Sequence, residues 1–302
     1  MTEPEPRIER PGRLRLKSAL AVIVSVGLLA VLITRLEPGD LATALGRLEA
    51  GEAVALIVLF GLAIACTGLR WRIGLRLARV PLGGLPLVRA VLGGHVLNMV
   101  LFGPLGGDLA KSAAWSRWYG IPLSDLLAAC ILDRTLAAWA AVAFGVLTVL
   151  LVWAGGLQFH ASHDAPPDLG GWLLGAVLVL LIAGGALYRF RRLAFFRRLA
   201  RSLRSTVQAA LAQPGALVRG TLLGLLGQVL MSLTMGVALW SVTTAPVDWL
   251  AVAWTFPIIT AVAALPTSFG GVGVREAMAV VLLSRYGIPA ADLVAAGLVY
   301  LL

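Results

Sequence analysis

Long apolar runs recur along the chain and restrict what it can fold into more than any other feature. A transmembrane helix needs about 20 largely apolar residues. Stretches near this length are found at Ala19–Thr34, Ala53–Leu69, Ser124–Trp153, Trp172–Tyr188, Ala216–Val242 and Trp249–Leu265. Only 13% of the 302 residues are charged, whereas soluble globular domains carry roughly 25%. Too little polar surface remains to cover a water-soluble core. The sequence therefore predicts an all-α, polytopic integral membrane protein.

Other apolar stretches are shorter or interrupted. They are Leu85–Phe102, Val274–Ser284 and a last segment that starts near Ala290. From Ala290 to Leu302 a helix reaches only about 20 Å, so this segment is either a half-span or has lost its natural end. We expect about six to eight helices plus re-entrant or interrupted helical hairpins, in a single transmembrane domain over residues 1–302.

Loop charge predicts the orientation of the spans. The net charge is +10, and the basic residues lie beside apolar runs, which indicates membrane topology rather than nucleic-acid binding. Residues 1–17 form a basic arm that we expect in the cytoplasm, followed by a retained signal anchor because no small-residue cleavage site follows it. Loops 35–52 and 155–171 are acidic or lack Lys and Arg, so they are expected outside. The predicted alternation of loops between the cytoplasm and the outside is consistent only if residues 85–118 make no net crossing of the membrane.

A basic segment at residues 189–212 is expected on the cytoplasmic side. Apolar residues recur there at helical spacing, and arginines fill most of the positions between them: the apolar set is Leu193, Phe196, Ala200, Leu203 and Val207. The pattern suits an amphipathic helix on an anionic leaflet. It also suits a loop that only sets topology.

One sequence element occurs twice. Residues 119–129 read YGIPLSDLLAA and residues 286–296 read YGIPAADLVAA, with eight of eleven positions identical. Two unrelated helix starts can converge on Gly-Ile-Pro-x-x-Asp, but convergence at eight positions favours duplication. An odd number of predicted spans separates the copies, so they face opposite ways. We therefore predict an inverted repeat, a construction of secondary transporters, in which residues 81–154 and 249–302 are related. Arg285 would then lie outside, against the positive-inside trend.

Glycine and proline interrupt two apolar segments next to charged side chains. We expect Gly103, Pro104, Gly106 and Gly107 to break a helix at membrane depth, and Gly106-Gly107 and Gly270-Gly271 to form turns. Asp108 and Lys111, three residues apart, can pair on the helix that follows.

The second interrupted segment ends in Gly-Val-Gly-Val-Arg-Glu, and its arginine is Arg275. Free N–H groups at a helix start attract anions, and arginine suits phosphate. No Gly-Lys-Ser/Thr follows, which excludes a Walker loop.

Asp133 and Arg134 lie about ten residues into a long apolar span. They are either intramembrane charges, which mark functional sites by default, or interfacial charges, if the first turns of the span project into the cytoplasm. Neighbouring residues do not face each other on a helix, so each needs its own partner. For all of these charges, structural pairing without a ligand is an equal alternative. The residues predicted to contact lipid are Asn98, Gly106, Gly107, Asp108, Lys111, Asp133, Arg134, Gly270, Gly271, Gly273, Arg275 and Glu276.

Few residues are available for metal binding or catalysis. The chain has three histidines, two of them at His160 and His163 in a Pro- and Gly-containing segment that we interpret as a solvated loop. Cys66 and Cys130 lie in apolar stretches and are expected to be buried small hydrophobes. We expect no metal, no cofactor and no enzymatic activity.

Four segments carry a resemblance to a known family: Leu69–Leu77 (LRWRIGLRL), Gly103–Lys111 (GPLGGDLAK), Ile131–Arg134 (ILDR) and Leu265–Glu276 (LPTSFGGVGVRE). From about Ala53 onward the chain resembles the lysylphosphatidylglycerol synthase transmembrane, or flippase-like, domain family. The resemblance implies a bacterial cytoplasmic (inner) membrane protein. In fused enzymes this domain resembles a flippase for aminoacylated phospholipid, and a soluble domain performs the aminoacyl transfer. No such soluble domain is present here, so we expect a stand-alone member. The chain departs from the family pattern at two positions. Family members usually carry a basic residue where Pro104 stands and arginine where Lys111 stands.

The residues and the resemblance together predict a protein that binds and flips an anionic phospholipid or aminoacyl-lipid, with the lipid phosphate near Arg275 and Lys111. The alternative is a non-catalytic membrane partner that holds a lipid-modifying enzyme through Arg189–Arg204. A weaker alternative is a transferase that uses Asp108 or Asp133 as a base. An oligomer is compatible with each of these functions.

Overall fold

The computed structural model describes residues 38–100, 103–154, 194–264 and 271–300, which fold almost entirely into helices. The helices in these ranges are α1 (Pro38–Leu45), α2 (Ala50–Leu77), α3 (Gly84–Val100), α4 (Gly103–Tyr119), α5 (Leu123–Ala154), α6 (Ala194–Leu211), α7 (Pro214–Val242), α8 (Trp249–Ala263), α9 (Val274–Leu283) and α10 (Ala290–Val299). A 3-10 turn at Ser284–Tyr286 joins α9 to α10. The predicted all-α class is confirmed. The basic arm, the predicted spans Ala19–Thr34 and Trp172–Tyr188, the His160–His163 segment and Gly270 lie outside the described residues.

Three long helices form the membrane-crossing part of the described chain. Helices α2, α5 and α7 contain 28, 32 and 29 residues, and each is long and apolar enough to span a bilayer. At 1.5 Å per residue they reach about 40 Å or more, beyond the ~30 Å hydrocarbon core. The chain is a multi-pass membrane protein, as its apolar runs predict.

Helices α3 and α4 pack mainly against each other as a hairpin of two 17-residue helices. The expected break at Gly103, Pro104, Gly106 and Gly107 is wrong, because these residues form the first turns of α4, and α3 already ends at Val100. Proline fits there since its missing N–H would have no partner in a first turn. Gly106-Gly107 is therefore helical rather than a turn. A Cβ on Gly107 would collide with Asn98 of α3, so the glycine allows a close helix contact.

Glycines bring the backbones of α2, α5 and α7 close together, and we call these helices the three-helix frame. A Cβ on Gly224 of α7 would lie 2.6 Å from the Cβ of Ala140 on α5. One turn earlier, a Cβ on Gly220 would lie 2.8 Å from Leu136 Cδ1. A Cβ on Gly74 of α2 would meet the carbonyl oxygen of Ala129 at 2.9 Å. Small residues one turn apart are typical of close helix pairs in membranes.

Replacing Gly224 by alanine is expected to destabilise the frame by about 1–3 kcal/mol, because the added methyl overpacks a backbone-close contact. Gly145 on α5 is the matched control, since a Cβ there meets nothing within 4 Å. Gly145→Ala should leave stability unchanged or raise it by up to ~1 kcal/mol through helix propensity. Thermal unfolding of the purified protein in detergent compares the two variants. Equal unfolding temperatures would contradict the close packing.

The two ends of the bundle carry opposite charge. At the basic end, where α2 ends and α7 begins, lie Arg72, Arg76 and Arg219. Helix α6 packs beside them, since its Ala210 joins a core cluster with Leu77 at the end of α2. The predicted amphipathic helix is thus present over Ala194–Leu211, and its exposed arginines are Arg197, Arg198, Arg201 and Arg204. The opposite, acidic end carries Glu49, Glu52 and Asp248.

The two copies of the repeated sequence lie at opposite ends. In the first copy, Leu126 packs with Trp71 and Leu75 near the basic end. In the second, Asp292 lies 3.8 Å from Arg47, which donates to the carbonyl of Val242 at the end of α7. Each copy begins a helix after a glycine with positive φ, 65° at position 120 and 78° at position 287. This placement is what an inverted repeat requires, and the duplication itself stays a prediction.

Candidate functional site

A central cavity of about 460 Å³ lies between the three-helix frame, the α3–α4 hairpin and helices α8 to α10. Its polar and charged lining residues are Thr67, Arg70, His95, Asn98, Asp108, Lys111, Asp133, Arg134, Gln228, Thr260 and Arg275. Apolar side chains such as Phe60, Met231 and Phe256 complete the wall. The cavity thus joins charges from the first interrupted region, from α5 and from the start of α9, which are far apart in sequence.

Asp108 accepts from two cations. Lys111 Nζ lies 2.9 Å from Asp108 Oδ1 on the same helix, as the spacing predicts. Arg134 Nε of α5 lies 2.7 Å from Asp108 Oδ2. Lys111 Nζ also lies 4.1 Å from the centroid of the Trp71 ring, a favourable cation–π position. Asp108 therefore ties the α3–α4 hairpin to the frame.

Asp133 has a different partner. Arg70 of α2 donates from Nε to Asp133 Oδ1 at 2.7 Å and from Nη2 to Oδ2 at 3.2 Å, and both side chains are buried. Such two-pronged arginine–carboxylate pairs are geometrically specific. Asp133 and the adjacent Arg134 thus face different partners, as expected for neighbours on a helix.

Arg275 is held by its neighbour Glu276. Arg275 Nη2 lies 2.6 Å from Glu276 Oε1 and 3.1 Å from the carbonyl oxygen of Gly297. The guanidinium carbon lies 4.9 Å from the centroid of the Tyr300 ring. Glu276 is completely buried, and its Oε2 accepts from the Gly273 N–H at 2.6 Å. The Gly273 N–H, expected to be open to a lipid phosphate, is therefore occupied by the chain's own carboxylate.

The predicted site residues fall into two groups. Those that line the cavity are Asn98, Asp108, Lys111, Asp133, Arg134 and Arg275. The others are not part of the cavity lining: Gly106 and Gly107 lie in the first turns of α4, and Gly271, Gly273 and Glu276 are buried where α9 begins. A lipid-binding role for either group stays a prediction.

Arg70, Trp71 and Tyr300 also line the cavity, although no sequence pattern was interpreted as placing them there. For Arg70 the signal was present in the spacing. Arg72 and Arg76 lie one turn apart and share one face of α2, while Arg70 lies about 200° around the helix from Arg72. An arginine that faces away from its basic neighbours needs a separate partner.

The cavity carries an excess of positive charge among the described residues. Arg70, Lys111, Arg134 and Arg275 line it, against Asp108 and Asp133 in the wall and Glu276 behind it. The side chain of Arg134 is 39% exposed, the most of these cations. Asn98 Oδ1 is buried and accepts no hydrogen bond from a described residue. The arrangement can take an anion at Arg134, whereas Asn98 Oδ1 lies in the contact of α3 with Gly107.

The described residues place no three His, Cys, Asp or Glu side chains where they could hold a metal ion together. Cys66 and Cys130 are buried and unbridged, as their apolar surroundings predict.

Apolar spans around a charged internal cavity define a multi-pass membrane protein. The family described as the lysylphosphatidylglycerol synthase TM region matches residues 18–302, and the chain belongs to this family. A UPF0104 membrane protein of Methanothermobacter thermautotrophicus is 23% identical over 300 residues, which cover 90% of this chain and 86% of that protein. The family resemblance seen in the sequence is thereby confirmed.

Proposed function

We propose that the central cavity binds the headgroup of an anionic or aminoacylated phospholipid and that the protein moves this lipid across the membrane, acting as a transporter without enzymatic activity. The observation that carries the proposal is the positively charged cavity inside an apolar bundle. Buried charges in a membrane are costly, and they are typical of substrate pathways. The cavity volume falls within the range of roughly 300–1,000 Å³ that is common for ligand pockets.

The lipid phosphate is assigned to Arg134. Its Nε is held by Asp108, while the rest of the guanidinium is the most exposed cationic group at the cavity. Both oxygens of Asp108 already accept from cations of the protein. The protein therefore recognises the lipid mainly by its phosphate rather than by a cationic group of the lipid.

The orientation proposed for the protein follows from its two ends. The basic end, with α6 and the start of α7, faces the cytoplasm of a bacterial inner membrane under the positive-inside rule, and the N-terminus lies on the same side. Transport then proceeds as a rearrangement of one repeat element against the other around the cavity.

Arg134→Ala is expected to slow lipid translocation by roughly ten- to a hundredfold, because a charge-assisted hydrogen bond contributes about 1.5–3 kcal/mol. The measurement is dithionite quenching of fluorescent phosphatidylglycerol in proteoliposomes. Arg134→Lys keeps the charge and should retain part of the activity. Arg117→Ala, at an exposed position on α4, is the matched control and should translocate at the wild-type rate.

Unfolding temperatures measured in detergent separate loss of binding from loss of fold in these variants. Arg275→Ala is less suitable, since it would leave the buried Glu276 without its cation. Wild-type translocation by a folded Arg134→Ala protein would overturn the assignment of Arg134.

The second candidate function is a membrane partner for a lipid-modifying enzyme. It is favoured by the exposed arginines on α6, which offer a basic docking surface at one end of the bundle. If the wild-type protein translocates no lipid in proteoliposomes, the partner function is favoured over transport.

A further inference from the structure

We propose that a groove on the outer face of α2 and α7 holds an anionic phospholipid of the surrounding bilayer, at a site separate from the central cavity. The groove has a volume of about 410 Å³. Its lining residues are Leu69, Arg72, Ile73, Arg76, Arg219, Leu222, Leu223 and Leu226. The proposal goes beyond transport, because it concerns a lipid bound at the protein surface.

The first observation is unbalanced positive charge. Arg72 and Arg76 lie one turn apart on α2, and the antiparallel packing of α7 brings Arg219 beside them. None of the three forms an ion pair with a carboxylate of the described residues. Three arginines on an apolar helix surface repel one another unless an anion lies between them. A lipid phosphate meets that need, and arginine matches its geometry.

The second observation is that the groove is charged at one end and apolar along the rest of its length. The arginines lie at the basic end, and Leu69, Leu222 and Leu226 follow toward the middle of the spans, each about half exposed. A phospholipid has the same order, with a charged headgroup followed by an acyl chain. A free phosphate ion would leave the leucines uncovered, so the lipid is the occupant that fits the whole groove.

The frame separates this groove from the cavity. Arg70 faces inward to Asp133, whereas Arg72 faces the groove, because two residues along a helix turn the side chain by about 200°. Helix α7 presents Leu223 and Leu226 to the groove but Gly224 and Gly227 to the cavity, so it lies between the two spaces. Variants in one site therefore leave the lining of the other unchanged.

The test is the rise in unfolding temperature of detergent-purified protein as phosphatidylglycerol or phosphatidylcholine is added. Wild type should be stabilised by phosphatidylglycerol at lower concentration than by phosphatidylcholine. In the triple variant Arg72→Gln, Arg76→Gln and Arg219→Gln, the apparent affinity for phosphatidylglycerol should fall by roughly fivefold per arginine. The matched control is Arg79→Gln, Arg89→Gln and Arg117→Gln, at three exposed positions outside the groove lining, which removes the same charge and should keep the wild-type response.

Three further arms make the result decisive. In the Arg134→Ala background, which weakens cavity binding, phosphatidylglycerol should still stabilise the protein and the groove substitutions should still reduce that response, so that failure of cavity binding and failure of groove binding are distinguished. Water-soluble glycerol phosphate should stabilise much less than the lipid, and equal stabilisation would overturn the lipid assignment. If the triple variant does not fold, the single variant Arg219→Gln, at an exposed position near the start of α7, carries the test. An unchanged response in the groove variant, or an equal loss in the control variant, would overturn the site.

Discussion

Replacing Glu276 by glutamine is expected to lower the free energy of unfolding by about 3–5 kcal/mol, the cost of breaking a buried ion pair. The Glu276 side chain has no exposed surface. One of its oxygens accepts from Arg275 and the other from the Gly273 N–H. Glutamine keeps the size but removes the charge, so the Arg275 guanidinium stays buried without its carboxylate.

Thermal and denaturant unfolding in detergent measure this loss. Glu49→Gln is the control, because the Glu49 side chain is exposed and its replacement leaves no buried cation without a partner. The double variant Glu276→Gln with Arg275→Gln should regain much of the stability, since it removes the unpaired charge. A Glu276→Gln protein as stable as wild type would show that Arg275 does not depend on this carboxylate.

Asp108→Ala is expected to release the α3–α4 hairpin from the frame. The substitution leaves both Lys111 and Arg134 without their carboxylate, and the hairpin packs mainly against itself. With a cost of about 3–5 kcal/mol for the broken pair, amide hydrogen exchange within residues 84–119 should accelerate by roughly a hundredfold or more, while α7 should change little.

Hydrogen exchange followed by mass spectrometry resolves the two regions. Asp125→Ala is the matched control, because Asp125 bonds only its neighbour Ser124 among the described side chains. Uniform acceleration over the whole protein would indicate global destabilisation, and an unchanged hairpin would contradict the anchoring role of Asp108.

The long helices were predictable because a long apolar run without charges is explained by a helix that spans the membrane. Even there the boundaries differ: the run Ala53–Leu69 predicts a span, but α2 extends to Leu77. Hydropathy marks the part of a helix that lies in hydrocarbon, and arginines after it continue the helix. The α3–α4 hairpin was harder to predict from the sequence. Glycine and proline usually indicate the end of a helix, but both are allowed in a first turn, which is where they lie in α4.

Within the candidate site, local pairing was predictable and distant pairing was not. Asp108 and Lys111 pair at a spacing that any helix provides. The pair of Arg70 and Asp133 joins residues 63 positions apart on different helices, and only the tertiary fold brings them together. At Gly273 the rule that helix starts attract anions was sound. The anion is Glu276, which stands at the third position of α9, where capping carboxylates commonly occur.

The close packing of the three-helix frame also limits where a lipid tail can go. Gly224 meets Ala140 and Gly74 meets Ala129 so closely that even one added carbon would collide. A hydrocarbon chain is far wider than that, so it cannot pass between these helices while they stay packed. A lipid whose headgroup lies in the cavity therefore cannot extend its tails between α5 and α2 or between α5 and α7, so its tails extend past other walls of the cavity, such as the α3–α4 hairpin or the short helices.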